Sequence, residues 1–98
     1  MPNYIILYNW TDQGIRNVKD VQKRIENFKS ELEKVGAKLI NEYFTFGEYD
    51  GIIIVEAPDD KAIMKVMLST GSLGNVRTRT IKAFTYNEES RDIFENLR

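Results

Sequence analysis

An α+β domain of element order βαββαβ, with one further helix behind it, is predicted from three features of the 98-residue sequence. Four β-branched and aromatic runs of strand length divide the chain: YIILYNW, KLINEYFTF, YDGIIIVE and NVRTRTIKAF. Val18, Val21, Ile25, Phe28, Leu32 and Val35 recur at alternating spacings of three and four between the first two runs, and a second helical stripe separates the last two. The first and third runs hold the continuous apolar stretches Ile5, Ile6, Leu7 and Ile52, Ile53, Ile54, Val55, whereas the second and fourth carry Asn41, Glu42, Arg77, Arg79 and Lys82, so two central strands are expected between two charged edges.

The elements follow in order. The first strand is expected to end near Trp10, where TDQG carries turn chemistry. Asn17 or Asp20 is available to cap the first helix, and Gly36 to end it in the left-handed region. The second and third strands form a hairpin with Gly47-Glu48 at its centre, and glycine at the first of two central positions suits a type II′ turn. Pro58, Asp59 and Asp60 open a second helix with Ile63, Val66, Met67 and Thr70 on one face, closed by Gly71. Asn87 caps a short last helix bearing Ile93, Phe94 and Leu97.

This order is that of the ferredoxin-like split βαβ unit, with antiparallel sheet order 4-1-3-2. One domain is expected over 1–98, with a core over 3–85 and a C-terminal helix over 87–97, since a chain this short hides only about two-thirds of its unfolded surface. Right-handed crossovers put both long helices on one sheet face. The other face is left bare, with aromatic side chains on it if Tyr4, Tyr8 and Trp10 point that way, and a monomer tolerates only a few hundred Å² of such surface. A homodimer packed sheet to sheet, reinforced by the last helix, is therefore expected, and a higher oligomer is left open; the alternative is that the last helix folds over its own sheet.

Composition excludes several function classes. A net charge of −1 argues against a nucleic-acid surface, which needs clustered Lys and Arg. The chain shares its strand order with RNA-binding modules, but YDGIIIVE has no aromatic stacking platform. Absence of Cys and His removes disulfides, the usual zinc sites, thiol nucleophiles and Ser-His-Asp catalysis, and no metal or cofactor is expected. No apolar run approaches the roughly 18 residues that span a bilayer, and MPNYIILYNW does not read as a signal peptide, so a cytoplasmic location without membrane contact is expected.

Strand directions bring WTDQGIRN, FGEYD and TGSLGNVR to one end of the sheet. Gly14, Gly47, Gly71 and Gly74 gather there, where glycine lets backbone N–H groups approach a ligand, along with the N-terminus of the first helix and Arg77 and Arg79. The candidate binding residues are Trp10, Gly47, Tyr49, Asp50, Arg77 and Arg79. Each also has a structural reading. Gly47 suits the turn, Asp50 can accept backbone N–H bonds, and Tyr49 can pack at an interface. Trp10 can anchor the core or a dimer, and the arginines can pair with Asp12, Glu48 or Asp50.

Three blocks, YNWTDQGIRNVKD, FGEYDGIIIVEAPDD and SLGNVRTRTIKAF, closely resemble the GYD-domain family, small bacterial and archaeal proteins of the dimeric α+β barrel superfamily. The resemblance extends to about Phe84. It implies a barrel of two copies, and it assigns the Gly-x-Tyr-Asp element to Gly47, Tyr49 and Asp50; it implies no established reaction. More loosely, GEYDGIIIVEAPD and LGNVRTRTIKAF are similar to the effector-binding domain of Lrp/AsnC-type regulators. There a comparable hairpin and a Gly-Val-x-x-Thr-x-Thr strand help form an amino-acid site; Gly74, Val76, Thr78 and Thr80 fall near the second motif, with Asn75 inserted.

The function expected is a stand-alone oligomeric module for an anionic or amino-acid-like small molecule near the GEYD hairpin. Tyr49 and Trp10 would stack, Asp50 would accept, and Arg77 or Arg79 would pair with a carboxylate. The alternative is a cofactor-independent enzyme of the barrel type acting on a small aromatic or quinol-like substrate, with Tyr8, Glu42, Tyr49 and Asp50 as available groups.

Overall fold

β1 (Asn3–Trp10) is a central strand, paired antiparallel along one edge with β3 (Gly51–Glu56) and along the other with β4 (Val76–Ala83). β2 (Lys38–Phe44) pairs antiparallel with β3, giving the order β2-β3-β1-β4, which is the expected 4-1-3-2 arrangement read from the other edge. The helices are α1 (Asp12–Arg16), α2 (Val21–Lys34), α3 (Asp60–Ser72) and α4 (Glu88–Glu95). These assignments come from a computed structural model that describes residues 1–97. The topology is ferredoxin-like.

The core lies on one face of the sheet. Tyr4, Ile6 and Tyr8 of β1 and Ile53 and Val55 of β3 pack against Phe28 and Leu32 of α2 and Ala62, Ile63 and Val66 of α3. Ile6, Leu32, Val55 and Val66 are the largest fully enclosed side chains, each worth about 1.5–3 kcal/mol of burial. Because side chains alternate along a strand, Ile5 and Leu7 of β1 and Ile52 and Ile54 of β3 point to the opposite face. Tyr4, Tyr8 and Trp10 belong to the helix face, so the bare face is aliphatic rather than aromatic at its centre.

Local chemistry departs from expectation at four places. TDQG is not a plain turn: it begins α1, with Thr11 as cap accepting from Gly14 N–H at 3.0 Å. Neither Asn17 nor Asp20 makes a side-chain cap for the segment that follows, because a 3-10 turn over Val18–Asp20 already leads the chain into α2. α3 runs through Gly71 to Ser72 with Leu73 as its C-cap, and Gly74, with φ +82°, takes the left-handed conformation that follows. The hairpin is wider than two residues: Thr45 N–H donates to the Asp50 carbonyl at 3.0 Å, and the chain reverses over Phe46 to Tyr49 with Gly47 at φ +95°. Gly36, at φ +75°, ends α2 as expected. Asp59 caps α3 by accepting from Ala62 N–H at 2.9 Å, and Asn87 and Ser90 form a reciprocal cap on α4.

β2 contains an irregularity that matters for the site. Leu39 faces Val55 and Asn41 faces Ile54, so one residue of β2 is skipped in the register. The extra residue moves Glu42 and Phe44 onto the helix face, opposite Ile53 and Gly51.

At the far end of the sheet Tyr4, Asp60 and Lys82 join β1, α3 and β4. Tyr4 Oη donates to Asp60 Oδ1 at 2.5 Å, and Lys82 Nζ lies 3.0 Å from the same oxygen. The Tyr4 bond, then Lys82, hold the Asp60 carboxyl below its ordinary range, while burial and then Asp60 push the Tyr4 hydroxyl up to about 12. A carboxyl depressed in the fold contributes stability above its unfolded pKa of about 3.9, and that contribution disappears as pH falls through the folded value. Asp60→Asn should therefore lower the melting temperature at pH 7 and leave it close to wild type in strong acid; parallel melting curves from pH 7 to 2 check this.

Candidate functional site

The segments expected to converge do meet, and they are stitched to one another. Thr11 N–H donates to the Asn75 carbonyl at 3.1 Å, and Thr11 Oγ1 to the Gly74 carbonyl at 2.6 Å. Gln13 Nε2 donates to the Leu73 carbonyl at 3.0 Å and to Asn75 Oδ1 at 2.9 Å. Gly14 sits so close to this strand entry that a Cβ there would lie 1.9 Å from the Asn75 carbonyl oxygen. Its missing side chain is what lets α1 lie against the start of β4.

The GEYD hairpin is tied to the end of β1 in the same way. Asp50 N–H donates to the Tyr8 carbonyl at 2.9 Å, and Asp50 Oδ2 accepts from Trp10 N–H at 2.9 Å and from Asn9 Nδ2 at 3.5 Å. Asn9 Nδ2 also donates to the Glu48 carbonyl at 2.9 Å. Asp50 thus continues the β1–β3 ladder with a side chain where backbone pairing stops. Gly51 follows with a steric role, since a Cβ there would stand 2.2 Å from the Tyr8 ring. The bare Gly51 backbone is the floor on which that ring lies, and a larger residue would push it off at a cost of about 1–3 kcal/mol.

Held this way, Tyr8 and Trp10 face a cleft of about 380 Å³ between the sheet and helices α2 and α3. Ile6, Phe28, Ile53, Met67, Leu73 and Val76 supply its apolar walls. Its ionisable groups are Tyr8, Arg24, Glu31, Lys34 and Glu42, and Thr78 and Asn75 of the β4 side are among its neutral polar ones. The Tyr8 and Trp10 rings meet edge to face at 6.2 Å, and Trp10 and Phe44 lie 6.5 Å apart. A mostly apolar concavity with a few polar groups has the make-up of a small-molecule site.

Charge in the cleft is unevenly satisfied. Arg24 Nη2 donates to the Gly14 and Asn17 carbonyls at 3.2 Å each, while Nη1 is enclosed and meets no acceptor among the described residues. An enclosed donor without a partner costs about 1–3 kcal/mol. Among the described residues no carboxylate pairs with Arg24, whereas Glu31 at the rim is paired with Lys34 at 3.2 Å. Burial raises the Glu42 carboxyl above its ordinary range, against a smaller lowering by Lys29. Burial, then Glu42 and Asp50, pushes the Tyr8 hydroxyl up to about 12 despite Arg24. At neutral pH Tyr8 is a hydrogen-bond donor, and Glu42 is a carboxyl that takes up a proton more readily than a solvated one, a pair equipped for binding or for proton transfer.

Of the six candidate residues, Trp10 lines the cleft. Gly47 is exposed at the hairpin tip, the Tyr49 carbonyl accepts from Thr45 Oγ1 at 2.6 Å, and Asp50 is engaged by β1. Arg77 and Arg79, paired in register with Asn9 and Leu7, project from the opposite face of the sheet. Neither forms the pairing expected with Asp12, Glu48 or Asp50 among the described residues. Arg24 was not singled out from the sequence, although a signal was present: it falls three residues after Val21 and four before Phe28, on the flank of the buried stripe.

Comparison with known proteins decides the family. The GYD domain matches residues 4–92. The chain belongs to the GYD domain family. This GYD protein is 34% identical over 84 residues to a Thermus thermophilus protein named glutamine synthetase and cystathionine beta-lyase binding protein, covering 85% of this chain and 88% of the relative. Among solved structures, one from Thermus thermophilus superposes with TM-score 0.56 at 20% identity, covering 89% of the GYD protein and 98% of that chain. A feast or famine regulatory protein from M. tuberculosis, complexed with L-methionine, superposes with TM-score 0.66 at 17% identity. It shares the fold over 91% of the GYD protein, which spans about half the regulator, 54% of its chain.

Proposed function

We propose that this GYD protein is a homodimeric small-molecule-binding module whose ligand occupies the cleft between the sheet and helices α2 and α3. The cleft itself carries the reading: about 380 Å³, well over twice the roughly 150 Å³ that takes up benzene, with Tyr8, Arg24 and Glu42 as isolated polar groups on apolar walls. Trp10 is a wall of that site. Gly47, Tyr49 and Asp50 act on it through β1, by fixing where Tyr8 and Trp10 stand. Arg77 and Arg79 border the aliphatic face formed by Ile5, Leu7, Ile52 and Ile54, which a second copy covers.

Trp10 is the single tryptophan and lines the cleft, so its emission reports occupancy. Titration with the neutral probe 3-phenylpropanol should shift Trp10 emission and saturate at one probe per chain. Thr78→Phe, which fills the cleft from an edge strand, should abolish the response. A wild-type chain that gives no saturable response contradicts the reading. Sedimentation equilibrium should return twice the 11.4 kDa chain mass, and the mass of one chain would contradict the dimer.

A second reading, docking to another protein, is favoured by the hairpin tip, where Phe46 is fully exposed and Phe44 is 59% exposed. The Thermus relative is named for binding two enzymes. On this reading Phe46→Ala should leave the melting temperature unchanged and weaken binding to purified glutamine synthetase by about tenfold or more in surface plasmon resonance; equal binding by both chains removes the hairpin as the docking element.

A further inference from the structure

The geometry points to Arg24 as an anion anchor in the cleft, and so to a ligand with an apolar, ring-sized body and a single carboxylate. This deepens the proposed function and rests on the cleft being the ligand site. Two cations, Arg24 and Lys34, line the cleft; Lys34 is paired with Glu31 at 3.2 Å, whereas no carboxylate among the described residues neutralises Arg24. Arg24 also borders a second depression lined by Asn17, Asp20, Lys23, Asn27 and Asn75, and Arg24, Asn27 and Asn75 are the residues common to both concavities.

Among the described residues two hydrogen bonds hold the guanidinium in place, both from Nη2 and both long at 3.2 Å, to the Gly14 and Asn17 carbonyls. Nη1 is enclosed without an acceptor among the described residues. Arg24 lines the cleft, and a carboxylate bound beside its guanidinium would supply the acceptor that Nη1 lacks among the described residues. Charge-assisted bonds of this kind are the strong ones, and guanidinium geometry fits a carboxylate.

The remaining groups are compatible with one anion at this end. Lys34 neutralises Glu31 at 3.2 Å. The Tyr8 hydroxyl stays protonated at neutral pH and can donate. Glu42 stands on β2, opposite Ile53, and leaves its end of the cleft suited to a neutral or donor-bearing part of the ligand. Ile6, Phe28 and Met67 are apolar walls for the body of the ligand.

A matched probe series tests the assignment in the intact protein through Trp10 emission: 3-phenylpropanoate, 3-phenylpropanol and 3-phenylpropylamine. The carboxylate is expected to bind about tenfold or more tightly than the alcohol, and the amine no more tightly than the alcohol. Arg24→Met, which keeps an apolar stem, should bring the ratio of carboxylate to alcohol affinity down to about one. Equal affinity of carboxylate and alcohol in the wild-type chain, a measurement independent of how the variant folds, overturns the anion assignment while the cleft reading stands. So does a carboxylate preference that survives in Arg24→Met. Failure of all three probes overturns both readings together.

Discussion

The end of β1 is where this structure is decided. Backbone pairing between β1 and β3 reaches Tyr8 and Gly51; beyond it the Asp50 amide and carboxylate take over, bonding the Tyr8 carbonyl and the Trp10 amide. Without that continuation Trp10 would sit on a strand end paired on its β4 side alone. With it, the aromatic pair at positions 8 and 10 is locked to the helix face, and Gly51 leaves room for the Tyr8 ring. The Gly-x-Tyr-Asp-Gly stretch is thus a clamp on a neighbouring strand, and the cleft wall is its consequence.

The same logic joins the other two corners. Gly14 admits the Asn75 carbonyl, which fixes α1 against β4, and the C-terminal end of α1 offers the Gly14 and Asn17 carbonyls to Arg24. On the far edge the skipped residue in β2 turns Glu42 inward. Three local irregularities, a clamp, a glycine contact and a bulge, each deliver one polar group to a cleft whose remaining walls follow from ordinary strand and helix periodicity.

That division explains what was legible in the sequence. The element order, the sheet order and the charged edges were readable because strand burial and helix periodicity repeat over many residues. So were the cap at Asn87 and the stop at Gly36, where a single residue type has a single local use. The helical turn at Asp12–Arg16, the end of α3 at Gly74 rather than Gly71 and the width of the hairpin were not readable, because each depends on a partner distant in sequence: Asn75, Gln13 and Tyr8 respectively. The face taken by Tyr4, Tyr8 and Trp10 was equally hidden, since a strand that is apolar on both sides carries no sign of which side the helices choose. The convergence of loops at one end was legible from topology; that their polar groups bond largely to one another was not.

The central claim is that Asp50 governs the end of β1. Native-state amide hydrogen exchange in wild type and Asp50→Ala tests it most directly, with the Ile6 amide of the same strand as the internal reference. The account predicts that the Trp10 amide of the variant exchanges about tenfold or more faster relative to Ile6, because its acceptor is gone. An unchanged ratio of Trp10 to Ile6 exchange would contradict it.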